Sequence, residues 1–255
     1  MLSIFKKKKR TEKVDLSGVG TDMHSHLLPG IDDGASDTDT SLKLISGLQE
    51  LGYRQCITTP HIMWDLYRND ARTIGNAFAQ VNAALPAPQR HMLPRAAAEY
   101  YLDDYFDQLL ERNEPLLTIR DNWVLVEFSF VTPPLNYKEK IFNLQIKGYQ
   151  PVLAHPERYT YFLQQKENFA ELKSAGCLFQ VNLLSLAGYY GKGPVELARW
   201  FIRNGWVDLL GTDLHHERHL RVLQTAGALM TPVKTLLDSG KLLNPQINAA
   251  NSANQ

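Results

Sequence analysis

Short β-rich runs alternate with longer stretches of helical periodicity along most of this chain. Counting an opening strand near Thr21, seven strands are predicted, and the other six lie at residues 55–59, 95–98, 123–126, 151–154, 178–181 and 207–210. Successive β-then-α units predict parallel strands joined by right-handed crossovers. A closed or nearly closed barrel and an open doubly wound sheet both fit this order. No GxGxxG motif follows the first strand, which disfavours the dinucleotide-binding version of the open sheet.

Helical periodicity fills most of the intervals between these strands. The predicted helices span residues 41–51, 102–111, 138–147, 162–174, 195–204 and 220–229. Glycines follow four of them, at Gly52, Gly148, Gly176 and Gly205. Glycine is the residue that most often ends a helix, because it adopts the left-handed backbone conformation at no steric cost. The glycines therefore support the assigned helix ends.

The length of 255 residues suits one large α/β domain, and a hydrophobic content of 44% allows a substantial core. We expect the domain to span residues 21–245. The basic segment 1–20 is predicted to be a flexible tail, and the polar, Asn-rich segment 246–255 a second tail.

Charge and cysteine content exclude several classes of protein. The 27 Lys and Arg balance 27 Asp and Glu, so no basic face for nucleic acid is indicated. Cys56 and Cys177 are isolated and form no disulfide framework, which favours a reducing cytoplasm. No apolar run approaches the roughly 20 residues that a membrane-spanning helix needs, and the chain does not open with the basic-then-apolar order of a secretory signal.

Side chains that bind metals follow nearly every predicted strand. His24 and His26 follow the first strand, His61 the second, Glu99 the third, Glu127 the fourth, His155 the fifth, and Asp213 and His215 the seventh. Only the sixth strand differs, ending in Asn182. The carboxyl ends of parallel strands meet at one mouth, where active sites lie. Imidazole and carboxylate ligands together suit zinc, manganese and iron.

A single histidine or glutamate at a strand end is more often an ordinary polar residue than a ligand, but the joint placement favours a metal centre. Unpaired carboxylates converging on one mouth would repel each other, and a cation removes that repulsion. In both His24-Ser25-His26 and Asp213-Leu214-His215, alternation along an extended chain puts the outer two side chains on one face. This many ligands exceeds one tetrahedral site, so we infer two or three metals, with Glu99 as a bridging ligand.

Two arginines occupy equivalent positions after the candidate ligands. Arg158 lies three residues after His155, and Arg218 three after His215. Guanidinium groups bind phosphate in a bidentate manner, although ordinary surface charge is the alternative explanation. No Cys-x5-Arg loop and no GxSxG motif is present, which argues against cysteine-nucleophile phosphatases and serine hydrolases. Closely spaced metals instead fit phosphoryl transfer.

The segment Asp22-Met-His-Ser-His26 followed by Leu-Leu-Pro-Gly-Ile-Asp-Asp-Gly34 resembles the opening motif of the PHP (polymerase and histidinol phosphatase) superfamily. Further segments match in order: Thr58-Thr-Pro-His61, Ala98-Glu-Tyr-Tyr101, Val126-Glu-Phe-Ser129, Ala154-His-Pro-Glu-Arg158, Gln180-Val-Asn182 and Gly211-Thr-Asp-Leu-His215. Within that superfamily, the chain resembles the bacterial metal-dependent tyrosine-protein phosphatases of capsule and exopolysaccharide clusters. The resemblance covers about residues 20 to 245.

This resemblance implies a distorted (β/α)7 barrel of the TIM-like PHP type, with the metal site at the C-terminal ends of the strands. The implied metals are two or three divalent ions, manganese first, with iron or zinc as alternatives. One metal would take His24, His26, Glu99 and Asp213; a second would share Glu99 and add Glu127 and His155; a third would take Asp33, His61 and His215. Arg158 and Arg218 would hold the phosphate.

The implied activity is hydrolysis of phosphotyrosine on a protein, with a membrane-associated bacterial tyrosine kinase as the expected substrate. A PHP-type phosphatase for a small molecule such as histidinol phosphate is the first alternative, and a non-catalytic metal-binding subunit is the second. The N-terminal Lys6–Arg10 run, preceded by Ile4 and Phe5, allows weak peripheral membrane contact, while a solvated basic tail is the simpler explanation.

Overall fold

A computed structural model describes residues 13–247 of the chain, and this part contains nine short β-strands. They are β1 (Thr21–Asp22), β2 (Gln55–Thr58), β3 (His61–Ile62), β4 (Arg95–Ala96), β5 (Glu99–Tyr101), β6 (Trp123–Glu127), β7 (Gln150–Ala154), β8 (Leu178–Asn182) and β9 (Leu209–Gly211). Every pairing between these strands is parallel. The prediction of a parallel α/β fold is therefore confirmed.

Nine α-helices connect or follow the strands in the described part of the chain. They are α1 (Thr38–Glu50), α2 (Ala71–Ala84), α3 (Asp104–Glu111), α4 (Tyr137–Ile146), α5 (Glu167–Ser174), α6 (Leu183–Leu186), α7 (Lys192–Asn204), α8 (Glu217–Thr225) and α9 (Met230–Asp238). Short 3-10 turns lie at Ala87–Met92, Pro156–Arg158, Thr160–Phe162, Gly227–Leu229 and Asn244–Gln246.

The strands form two parallel sheets that are joined by an isolated bridge on one side and by the chain itself on the other. One sheet has the order β1-β2-β4, and the other has the order β3-β5-β6-β7-β8-β9. Just beyond β1 and β9, Ser25 and Leu214 form a parallel bridge between the two sheets. On the other side the chain itself joins the sheets, because β2 passes into β3 through Thr59 and Pro60, and β4 passes into β5 through Ala97 and Ala98. No closed sheet is formed by these pairings among residues 13–247.

Each of the seven predicted strands has a counterpart, but β3 and β5 are additional. Pro60 has no N–H to donate to a ladder, so it separates β2 from β3. Ala97 and Ala98 likewise separate β4 from β5, and Glu99 therefore begins a strand instead of following one. At two places where one strand was predicted, the structure therefore has two short strands, and the second of each pair, β3 or β5, belongs to the other sheet.

The helix predictions hold for six of the nine α-helices, whereas α2, α6 and α9 were not predicted. Helix α2 begins with a capping box: Asp70 accepts a hydrogen bond from the amide of Thr73, and the Thr73 hydroxyl accepts one from the amide of Asp70. Its buried positions, Ile74, Ala77 and Val81, follow helical spacing, but alanines and polar residues dilute the signal.

Alternation along the strands separates two apolar clusters. In β6, Val124 and Val126 belong to the larger cluster beneath the helices, while Leu125 packs in a smaller cluster with Val152 and Leu209. Because side chains alternate with period two, Glu127 lies on the same face as Leu125. The carboxylate of Glu127 at the end of β6 therefore follows the smaller apolar cluster on the same face of the sheet.

The core extends into the N-terminal segment that the composition assigns to a tail. Val14, Leu16 and Val19 are all buried and belong to the larger cluster. The Lys6–Arg10 run lies outside the described residues. Within residues 13–247, no helix has the length and apolar character needed to cross a bilayer.

Candidate metal centre

The candidate ligands that the sequence places at strand ends gather around one cavity of about 250 Å³. Its wall includes Asp33, His61, Glu127, Phe130, His155, Arg158, Tyr190, Asp213, His215, His216 and His219. Below it lie His24, His26 and Glu99, whose side chains are fully buried. The structure thus brings all nine predicted metal ligands together.

Glu99 lies at the centre of this arrangement, in contact with four imidazoles. One of its carboxylate oxygens, Oε2, is 3.1 Å from Nε2 of His24, 3.3 Å from Nε2 of His26 and 3.2 Å from Nδ1 of His61. The other oxygen, Oε1, is 3.2 Å from Nε2 of His155. Because Glu99 begins β5 beside β3, it lies opposite His61 in the register of the sheet.

Three overlapping groups of side chains have ligand atoms close enough to share an ion. They are His24, His26, Glu99 and Asp213; His26, Asp33, His61 and His215; and His61, Glu99 and Glu127. The ligand atoms of each group lie within 4.8 Å of one another. The first group has the same members as one group implied by the resemblance. The second group contains His26 in addition to the implied Asp33, His61 and His215. In the third group His61 joins Glu99 and Glu127, and the implied ligand His155 also lies against both carboxylates, with Nε2 at 3.2 Å from Glu99 and 3.4 Å from Glu127.

The outer hydrogen bonds of the histidines show which ring nitrogen faces inward. Nδ1 of His24 is 2.8 Å from Oε1 of Gln180, and Nδ1 of His26 is 2.8 Å from Oδ2 of Asp32. Nδ1 of His215 is 2.9 Å from the carbonyl oxygen of Asp213. These oxygens can only accept a hydrogen bond, so each Nδ1 carries the proton. In the neutral ring, Nε2 is then an unprotonated ligand atom, and all three Nε2 atoms face the centre.

This geometry fits cations better than hydrogen bonds. Nε2 of His24 faces the carboxylate of Glu99 at 3.1 Å and Nε2 of His26 at 3.3 Å, so in the neutral rings three acceptor atoms lie against each other and need a positive charge between them. With metal–ligand distances of about 2.1 Å, neighbouring ligands of one ion lie about 3.0–3.4 Å apart. Oε1 of Glu99 and Nδ1 of His155 are buried without a hydrogen-bond partner among the described residues. The donor set therefore fits bound divalent metals.

The pKa values of the carboxylates also indicate crowding of negative charge. Burial, followed by the nearby charge of Glu99, raises the pKa of Glu127 well above its ordinary range. Burial opposes ionisation of Glu99 too, but attraction to the protonated form of His24 outweighs burial and lowers the pKa of Glu99 well below its ordinary range. The same attraction raises the pKa of His24 against its own burial, so without a bound cation a proton takes the place of one. Burial lowers the pKa of His61 and of His155 to about 4, which keeps both rings neutral and able to bind metals.

Two candidate ligands have unusual backbone conformations. His155, just after β7, has a φ of 30°, and Asp213, just after β9, has a φ of 49°. Non-glycine residues rarely adopt positive φ, and such conformations persist where the surrounding structure holds them. The amide of Asp213 donates to the carbonyl of His24 at 2.8 Å, and the amide of His155 donates to Gln180 at 3.2 Å. These bonds fix where both side chains enter the site.

The two arginines occupy different environments. Nη1 of Arg158 donates to Oδ2 of Asp213 at 2.9 Å, and Arg158 lines the cavity. Arg218 is exposed on the first turn of α8, and its guanidinium lies 5.6 Å from the ring centre of Tyr189. Arg218 is not among the side chains that line the cavity. Of the two, only Arg158 directly borders the candidate metal ligands in this structure.

Sequence reasoning assigned no role to several residues that contact the ligands. Asp32 and Gln180 orient the imidazoles of His26 and His24, and the side-chain amide of Asn182 donates to Asp213 at 2.8 Å. All three lie within motifs noted in the sequence, so their closeness to the candidate ligands along the chain could have indicated a role in orienting them. Phe130 and Tyr190 also line the cavity, and nothing in the sequence distinguishes them from other aromatic residues.

Comparison with known proteins gives a consistent picture. Residues 20–231 match the family model described as "Capsular polysaccharide synthesis, CpsB/CapC". The chain is 30% identical over 200 residues to tyrosine-protein phosphatase YwqE of Bacillus subtilis, covering 77% of this chain and 78% of that protein. It is 28% identical over 201 residues to tyrosine-protein phosphatase CpsB of Streptococcus agalactiae, covering 76% and 82%.

A solved structure is similar over nearly the same extent. It comes from a study of YwqE from Bacillus subtilis and CpsB from Streptococcus pneumoniae, described there as metal-dependent tyrosine phosphatases. The TM-score is 0.74 at 26% identity, with 89% of this chain and 90% of that chain covered. The family match spans well over half of the described residues and includes every candidate ligand. The chain therefore belongs to the CpsB/CapC family of capsular polysaccharide synthesis proteins.

Proposed function

We propose that this protein is a metal-dependent protein-tyrosine phosphatase that acts in the control of capsule or exopolysaccharide synthesis. The observation that carries the proposal is the ring of inward-facing imidazole nitrogens around Glu99, bordered by the guanidinium of Arg158. Relatives of similar length are named tyrosine-protein phosphatases, which supports the same activity here.

The proposed metal ligands are the nine side chains predicted from the sequence: His24, His26, Asp33, His61, Glu99, Glu127, His155, Asp213 and His215. We infer two or three divalent ions, manganese first and iron or zinc as alternatives. When bound, such cations lower the pKa of coordinated water and neutralise charge on a phosphoryl group. Gln180 and Asp32 hold the imidazoles of His24 and His26 in the tautomer that this binding needs.

The remaining chemistry falls to side chains at the cavity wall. Arg158 is proposed to bind the phosphoryl oxygens, since its guanidinium borders the candidate ligands and is anchored by Asp213. Arg218 is proposed as a second phosphate-binding group that approaches from α8. No cysteine or serine lines the cavity formed by the described residues, so water is the proposed nucleophile. Tyrosine, with a pKa of about 10, leaves more readily than an alkoxide.

The surface around the mouth favours a protein substrate over a metabolite. Exposed apolar side chains occur on the loops after β3 and β6: Trp64, Leu66, Phe130, Val131 and Leu135. Val131 and Leu135 are 86% and 87% exposed and follow Phe130, which lines the cavity, and exposed apolar side chains beside a site favour contact with a large substrate. This favours a protein substrate, and we propose phosphotyrosine on a membrane-associated tyrosine kinase, as the sequence resemblance implies. A small-molecule phosphatase such as histidinol phosphatase remains the alternative function.

A metal-titrated phosphatase assay tests this proposal. Protein stripped of metal and reloaded with Mn²⁺, Fe²⁺ or Zn²⁺ is given a phosphotyrosine peptide and, separately, histidinol phosphate. We expect metal-dependent release of phosphate from the peptide, with a much higher kcat/KM than for histidinol phosphate. Preference for histidinol phosphate would favour the metabolite phosphatase. Bound metal without hydrolysis of either compound would favour a non-catalytic metal-binding subunit.

We further infer that the two sheets are parts of one distorted (β/α)7 barrel. The Ser25–Leu214 bridge links the sheets on one side, and on the other side the chain passes directly from β2 to β3 and from β4 to β5, which supports this arrangement. The gathering of ligands from the carboxyl ends of the strands is also typical of such barrels.

Neither cysteine is expected to take part in catalysis. Both are buried, and burial raises the pKa of Cys56 well above its ordinary range and that of Cys177 to about 12, so both thiols stay protonated. We expect Cys56→Ser and Cys177→Ser to retain phosphatase activity, whereas strong chelators abolish it. Steady-state assays on folded variants, judged by circular dichroism, provide the measurement. An inactive but folded serine variant would instead indicate a thiol mechanism.

A cytoplasmic location at the inner face of the membrane is proposed on the chemistry of residues 1–20. Five consecutive basic residues, Lys6 to Arg10, follow the apolar Ile4 and Phe5. Each basic residue near an anionic membrane contributes about 1 kcal/mol, and the attraction is screened by salt. Such a segment gives marginal peripheral binding and not a stable anchor. A solvated basic tail is the alternative.

We expect the full-length protein to co-sediment with anionic liposomes at low salt and to be released at high salt. A version that begins at Lys13 should not co-sediment, yet should hydrolyse a soluble phosphotyrosine peptide at the full rate. Starting at Lys13 keeps the buried residues Val14, Leu16 and Val19 in place. Equal liposome binding by both versions would exclude the basic segment as the membrane contact.

A further inference from the structure

The guanidinium of Arg158 lies between two aromatic rings. Its central carbon is 4.1 Å from the ring centre of Phe130 and 4.2 Å from that of Tyr190. The three residues come from consecutive strands of one sheet: Phe130 follows β6, Arg158 follows β7 and Tyr190 follows β8. The strand order therefore places the cation in the middle, with one ring on each side.

The aromatic contacts and the ion pair restrain different directions of movement. A guanidinium is flat and carries its N–H groups along its edges, so rings that stack on its faces leave the edges free to donate hydrogen bonds. One edge is used when Nη1 donates to Asp213 at 2.9 Å. The side chain is 20% exposed and lines the cavity, so part of the donor edge remains available there.

Within the function proposed above, we infer that Phe130 and Tyr190 are positioning residues that fix the plane of Arg158 for binding the phosphoryl group. The ion pair with Asp213 holds one nitrogen but allows the flat group to rotate about that contact. Stacking on two rings removes this rotation, so the free N–H groups point in one fixed plane. Such preorganisation raises the rate because no reorientation is needed when the transition state forms.

Phe130 also contacts a candidate metal ligand, which connects the pair of rings around Arg158 to the metal centre. Its ring centre is 5.4 Å from that of His155, and the ring is 43% exposed at the mouth. By contrast, Arg218 contacts only the ring of Tyr189, at 5.6 Å, among the described aromatic residues. A ring on each face is therefore a feature of Arg158 and not of both candidate phosphate-binding arginines.

The test compares variants that remove a ring with variants that keep one. Phe130→Leu and Tyr190→Leu are each expected to lower kcat/KM for an aryl phosphate by about tenfold, the size of a partly buried cation–π contact. Phe130→Tyr and Tyr190→Phe should stay close to the unaltered protein. Phe142→Leu, which changes a 58% exposed phenylalanine on α4, is the matched control and should have no effect. Metal content and melting temperature are measured for every variant.

Three further readouts separate positioning from general disruption. When Arg158 is already alanine, adding Phe130→Leu should cause no further loss, because the group that the ring positions is absent. Guanidinium chloride at millimolar concentration should partly restore activity to Arg158→Ala, and this rescue should vanish when Phe130→Leu or Tyr190→Leu is added. Binding of inorganic phosphate to the metal-loaded protein, followed by calorimetry, should weaken in the ring-deleted variants.

The results separate this inference from the function on which it rests. If Arg158→Ala is impaired while the leucine variants retain normal kcat/KM and phosphate binding, a positioning role for Phe130 and Tyr190 is excluded and the role of Arg158 stands. If the leucine variants lose activity equally with and without Arg158, their role is not positioning of this group. If Arg158→Ala has normal activity, the proposed role of Arg158 itself is wrong.

Discussion

Glu99→Gln is expected to abolish phosphatase activity and to strip the protein of most of its metal. Glu99 contacts four imidazoles at 3.1–3.3 Å and belongs to two of the three groups of ligand atoms. Glutamine keeps the shape of the side chain but removes the charge that balances the cations. Since changing even an outer-shell partner lowers metal affinity by about 10–100-fold, losing a shared ligand should cost at least as much.

The measurements are metal content by mass spectrometry and kcat/KM for a phosphotyrosine peptide across a range of added Mn²⁺. The matched control is Glu114→Gln, because Glu114 is a solvent-exposed glutamate whose only ion pair among the described residues is with Arg112. It should retain full activity and metal. A Glu99→Gln protein that keeps both would refute the assignment of the metal centre.

Arg158→Ala is expected to lower kcat/KM on the order of 10²–10³-fold while leaving metal content unchanged. The proposed target of Arg158 is the phosphoryl group, and removing one charged donor from a transition state typically has an effect of this size. The side chain is not a member of any group of candidate metal ligands. A loss in kcat would indicate contact in the transition state, and a rise in KM alone would indicate substrate binding.

A matched control for this variant is Arg68→Ala. Arg68 also lies over an aromatic ring, 5.0 Å from the ring centre of Trp64, but it does not line the cavity. Its removal should leave hydrolysis of a small aryl phosphate unchanged. If Arg158→Ala instead loses its metals, the ion pair with Asp213 has a structural function and the proposed phosphate contact is wrong.

The parallel α/β architecture and the gathering of the ligands could be predicted because both depend on local patterns. Alternating strand and helix signals give parallel strands, and parallel strands bring their carboxyl ends together. His24, His155 and Asp213 were therefore placed at one site from their positions in the sequence alone. The separate strands β3 and β5 could not be predicted in this way, because they contain two and three residues and carry no periodicity.

The contacts that orient the ligands depend on distances that sequence spacing does not give. Gln180 is 156 residues from His24, yet its amide oxygen holds the ring of that histidine. Phe130 and Tyr190 meet Arg158 only because three consecutive strands lie side by side in the sheet. Which imidazole belongs to which group also depends on side-chain rotamers. His61 and His155 both lie within 3.7 Å of Glu127, which sequence spacing does not show.

The overlap of the three ligand groups has a consequence for how metal binding should proceed. Glu99, His26 and His61 are each shared by two groups. An ion in one group draws a shared side chain into place for its neighbour, while its positive charge opposes the arrival of a second ion. Affinities at linked sites change each other by the same factor, whichever is filled first. If more than one ion binds, the binding isotherm should therefore depart from that of independent sites, because each ion changes the affinity for the next.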